Sequence, residues 1–218
     1  MSTEGALVPG EVGLRVRRVP LGGWHRSPIR AVDRRWAVIA GGWGGLYAIY
    51  RAYYAFGGLA GLPGVLRPDA HGTFRLINIV AVVVLLLGAA APLLMLRFWG
   101  TRLWLGCVAA CWAVAVGCIM HALIDITQRV LSLTGLISIS YPTDLWASVD
   151  RHAADMQDLV GNEPWFLIEG LLFAGLALLH LRGRGRLTFV ITALLAVTAF
   201  VTVGMLSSTG HLARVVVG

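Results

Sequence analysis

Long runs of the chain carry almost no charge, and this limits the fold more than any motif does. Leu76–Leu96 has no ionised side chain between Arg75 and Arg97, and Leu103–Ile124 has none between Arg102 and Asp125. Pro164–Leu181 is interrupted only by Glu169 and His180, and Leu187–Ser208 is unbroken. A helix crossing the hydrocarbon of a bilayer needs about 20 mostly apolar residues, so each run is a candidate span. A fifth run, Trp36 to about Phe56, carries Arg51 near its end. The expected fold is therefore an all-α integral membrane protein, a bundle of about five transmembrane helices. Composition agrees: only 13% of residues are charged, against about 25% in a soluble domain.

Charge also sets an expected orientation. Arg15, Arg17, Arg18, Arg26, Arg30, Arg34 and Arg35 precede the first run, and Arg97, Arg102, Arg182, Arg184 and Arg186 lie in two later loops. The positive-inside rule makes all three segments cytoplasmic. The chain then divides into a cytoplasmic arginine-rich arm (1–35), a transmembrane bundle (36–208) and a short outer tail (209–218). Loop 125–163, with six acids against Arg129 and Arg151, falls outside. The formal charge of +7 is a topology signal in this reading, and nucleic acid is not an expected partner. The arm lacks the apolar core of a cleavable signal peptide.

The outer loop is expected to be partly helical. Asp125–Leu133 extends the third span, "TGLISISYPTD" (134–144) breaks it, and residues 145–160 resume a helical pattern. Asn162 or Glu163 would cap the fourth span, with Pro164 in its first turn.

Several constellations can carry chemistry. Cys107, Cys111, Cys118, His121 and Asp125 fall within about 80° of one another on a helix. Gln128 extends the stripe. His121 and Asp125 form either an oriented acid–base pair or a solvated pair at a helix end. The cysteines read as small packing residues, since Cys107 and Cys118 are about 16 Å apart along the axis. In the outer loop Asp155 and Asp158 share a helical face and offer oxygen ligands to Mg²⁺; Arg151 makes a plain surface ion pair the alternative. No other cofactor is indicated.

Tyr47, Tyr50 and Tyr54 follow a three-to-four spacing around Arg51. They form either an interfacial aromatic belt or, with Trp165, a wall of a polar pocket. Gly41 and Gly45 form a small-xxx-small pattern for close helix packing. Glu169 lies about 8 Å inside its span. Acids at such depth face the bundle interior or a wet cavity. Glu169 is either a neutral acid acting on substrate or a charged brace paired with Arg51.

The segments "GWGGLYAIYRAYYAFGG" (42–58) and "NEPWFLIEG" (162–170) resemble those of small multi-pass membrane proteins of unknown function from actinobacteria. That resemblance implies a membrane location and carries over no catalytic residue.

Two functions follow as expectations. One is a membrane enzyme with a pocket facing the outer leaflet, catalytic residues Glu169, Asp125 and His121, and substrate contacts from Arg51, Tyr50, Tyr54, Trp165 and Gln128. Its chemistry would be acid–base work on a lipid or isoprenoid, for example in a membrane-bound cyclase. The other is a non-enzymatic assembly subunit of a membrane complex, with a membrane protein as partner.

Overall fold

A computed structural model describes residues 31–99 and 101–208. It is mostly helical. Helix α1 (Ala31–Ala55) leads through a loop and a short strand β1 (Gly64–Leu66) into a single 3-10 turn and α2 (His71–Arg97). A tight turn follows, then α3 (Leu103–Leu133). A longer connection holds strand β2 (Trp146–Val149) and α4 (Arg151–Gln157). A π-helical turn at Asp158–Asn162 joins α4 to α5 (Glu163–His180), and α6 (Gly183–Ser208) ends the described chain. The expected arm before residue 31 and the tail after residue 208 lie outside the described residues.

Four helical stretches are long and apolar enough to cross a membrane: Pro68–Arg97, Leu103–Leu133, Arg151–His180 and Gly183–Ser207. The fifth expected span, α1, is not among them. It carries Asp33, Arg34, Arg35 and Arg51 and is rich in glycine. It is nevertheless built into the core, with Ala37 and Ala40 fully buried.

Helix α5 is central and α6 peripheral: 39% of the apolar window around α5 is buried, against 6% of that in α6. Phe173, Leu176 and Ala177 of α5 meet Ala37 and Ala40 of α1, Met95 of α2 and Cys111 and Ala115 of α3. Small residues bring backbones together. A Cβ on Gly170 would lie 2.6 Å from Ile119 and 3.0 Å from the Ala115 carbonyl, so α5 and α3 touch there. A Cβ on Gly41 would lie 2.8 Å from the Ala89 carbonyl, which fixes α1 against α2. The expected Gly41/Gly45 pair is corrected in one member: Gly45 faces open space, and Gly44 is the second close approach.

One end of the bundle is covered by a cap. β1 and β2 pair antiparallel, Gly64 with Val149 and Val65 with Ser148, with an irregularity before Leu66. The Asp150 N–H donates to the Pro63 carbonyl at 2.8 Å. Tyr54, Leu66 and Phe74 pack beneath this pair with Trp146 and Leu145. The two connections at this end are thus stitched together. Residues 146–149 are strand where a helical pattern was expected, because their partner is Gly64–Leu66 and not their own chain four residues on. The opposite end carries Arg97, Arg102, Arg182, Arg184 and Arg186.

Candidate functional site

His121 and Asp125 lie one turn apart on α3 and share a face. His121 Nε2 stands 3.5 Å from Asp125 Oδ2. Glu163 enters from the first turn of α5, and its Oε1 is 3.7 Å from the same nitrogen. The Glu163 side chain is only 2% exposed, and its Oε2 has no hydrogen-bond partner. Phe166, one turn along α5, sets its ring edge-on to the imidazole with centroids 4.8 Å apart. A ligand atom from each of the three residues lies within 4.8 Å of the other two.

The π turn aims Glu163. Pro164 has no N–H to give the carbonyl four residues back, at Val160. Gly161 adds no side-chain restraint. The ladder widens, and the Glu163 N–H reaches the Asp158 carbonyl instead. Such bulges are frequent at functional sites. The expected cap is corrected here: Asn162 is helical and caps nothing with its side chain. It donates to Asp158 Oδ1 at 2.7 Å and accepts from the Tyr47 hydroxyl at 3.4 Å.

The three residues stand at the polar end of a cleft of about 740 Å³. One wall is a stripe of α2, Leu76, Ile77, Val80, Ala81, Val84 and Leu85; Tyr47, Arg51 and Phe166 complete the lining with the polar groups. Leu76, Val80 and Val84 are more than half exposed, so nothing among the described residues covers this wall. Arg51 lies within ion-pair distance of no carboxylate among the described residues.

Beside the cleft, Arg129 clamps α3 to α4 and the π turn. Its Nη1 is 3.0 Å from Asp155 Oδ1 and its Nη2 is 2.7 Å from Asp158 Oδ2. Ser132 donates to Asp155 at 2.6 Å, and the Tyr141 hydroxyl lies 3.3 Å from the same carboxylate. Burial pushes the Tyr141 phenol above its ordinary pKa, which keeps it a donor. Asp155 and Asp158 therefore have a guanidinium as counter-cation. Their expected alternatives were a Mg²⁺ pair and an ion pair with Arg151; the cation beside them is Arg129.

The expected site residues divide. His121, Asp125 and Arg51 line the cleft. Glu169 does not: it is 2% exposed and faces Gly44 of α1, with its Oε2 lacking a hydrogen bond. It is not paired with Arg51. Tyr50 and Tyr54 bond each other at 3.1 Å under the strand cap, and Gln157 donates to Tyr50. Trp165 stacks on Trp43 at 4.1 Å, joining α5 to α1. Gln128 is half-buried outside the cleft lining. Tyr47, one of the tyrosines expected in a belt or a pocket wall, lines the cleft; Glu163, Asn162, Phe166 and the α2 wall were not anticipated as site residues. For Glu163 a signal existed: two acids six residues apart on a helix point about 120° apart, so Glu169 and Glu163 face different neighbours.

No protein-family model, curated protein or solved structure matches this chain.

Proposed function

We propose that this is a multi-pass membrane protein that takes a lipid or isoprenoid amphiphile into the cleft between α2 and α3. The apolar chain lies along Leu76–Leu85 and the polar head meets His121, Asp125, Glu163 and Arg51. One observation carries the reading: an apolar wall that no described residue covers ends at a polar cluster whose buried member, Glu163, has an oxygen without a hydrogen-bond partner. Ligand sites of this kind combine a mainly apolar lining with a few convergent polar groups. The arginines at the opposite end make that end cytoplasmic by the positive-inside rule, so the cleft opens toward the outer leaflet.

The chemistry the residues support is acid–base work at the head group. An imidazole within reach of two carboxylates can take a proton from the head group or give one to it. Glu169 is a structural acid in this reading, since it lies away from the cleft. The test is to purify the protein in mild detergent and identify co-purifying lipids by mass spectrometry. Wild type retains a defined amphiphile, and Ala81→Trp, which fills the cleft, loses it. Equal retention by both would overturn the proposal.

A further inference from the structure

We infer that His121, Asp125 and Glu163 form a binding site for one divalent transition-metal ion of the zinc class, with an open ligand position toward the cleft. The inference deepens the proposed function, because the site is the polar end of the same cleft.

The donor spacing supports it. In a tetrahedral site with metal–ligand bonds near 2.1 Å, neighbouring donors lie roughly 3.4 Å apart. His121 Nε2 is 3.5 Å from Asp125 Oδ2 and 3.7 Å from Glu163 Oε1. These separations are long for neutral hydrogen bonds and close to a tetrahedral edge. The burial is a separate observation. Glu163 is 2% exposed, and its second oxygen has no partner. A carboxylate in that position needs a cation or a proton. Arg129 is already committed to Asp155 and Asp158.

The donor set selects the ion. One imidazole nitrogen and two carboxylate oxygens suit zinc, manganese or iron(II); Mg²⁺ prefers oxygen ligands alone and keeps much of its water. Three protein ligands with a vacant fourth position is the arrangement of catalytic rather than structural zinc. The vacant side faces the cleft, since all three residues line it. Phe166 holds the imidazole plane from the side. With an ion bound, His121 is a ligand, and the acid–base role passes to water on the ion.

The test uses tag-free full-length protein, stripped with chelator in mild detergent and titrated with Zn²⁺ and Co²⁺. Wild type is expected to bind one equivalent, and its Co²⁺ form to show the intense visible absorption of four-coordinate cobalt. His121→Ala and Glu163→Gln should each weaken Zn²⁺ binding roughly 100-fold or more, beyond the usual effect of an outer-shell change. Glu169→Gln, a buried acid outside the site, should leave it unchanged. Failure of wild type to bind, or equal binding by Glu163→Gln, would overturn the metal site. Ala81→Trp separates the two proposals: loss of lipid with Zn²⁺ binding kept is expected. Retained lipid in a wild type that binds no Zn²⁺ removes the metal site alone; bound Zn²⁺ without any retained lipid removes the lipid reading alone.

Discussion

Gly44 of α1 and Glu169 of α5 share one space: a Cβ on Gly44 would lie 2.7 Å from Glu169 Oε1. The acid is thus part of the α1–α5 contact. Gly44→Ala is expected to destabilise the protein by about 1–3 kcal/mol, as overpacking does. The cost should largely vanish in a Glu169→Ala background, because the two residues are coupled through contact. Gly41→Ala should be damaging in either background, since it meets the Ala89 carbonyl, which cannot swing aside. Gly45→Ala, in open space, should be neutral or stabilising by about 0.5–1 kcal/mol. Thermal unfolding of the variants in one detergent measures all of these.

Arg129 is the clamp between α3 and the π turn that aims Glu163. Arg129→Gln leaves Asp155, whose side chain is 3% exposed, without its cation. Removing one partner of a buried pair costs about 3–5 kcal/mol. Adding Asp155→Asn to Arg129→Gln should recover part of the loss. Full stability of the single variant would mean the clamp contributes little.

The apolar runs made four of the helices legible, because each run alone satisfies the length a span needs. Helix α1 was legible as a helix, but Arg51 and its glycines keep it below the apolarity of the others. The pairing of His121 with Asp125 followed from rotation along a single helix. The third member, Glu163, did not, since its aim depends on a π turn created by Gly161 and Pro164 and on packing between α3 and α5. The strand Trp146–Val149 was hidden for a similar reason: its partner, Gly64–Leu66, lies far away in sequence. Glu169 drew attention as an acid in an apolar run, yet its depth said nothing about which neighbour it faced.

Tyr141 offers a pH test outside the apolar spans. Burial raises its folded pKa above the unfolded phenol value. Its contribution to stability is therefore complete below about pH 10, the ordinary phenol value, and is lost as pH rises through the raised folded value. Wild type should lose stability across that alkaline window, and Tyr141→Phe should lose less over the same range. Parallel pH profiles of melting temperature would contradict this.

The central claim is that an amphiphile lies along the α2 wall with its head at His121, Asp125 and Glu163. The most direct measurement is cross-linking with a photoreactive fatty-acyl lipid in vesicles, followed by peptide mass spectrometry. Helix α6 is the internal control, because its Leu194 and Leu195 are likewise exposed apolar side chains. The account predicts adducts concentrated on Val80, Ala81 and Val84, and lost from them in Ala81→Trp. Adducts spread equally over α2 and α6, unchanged by that substitution, would contradict it.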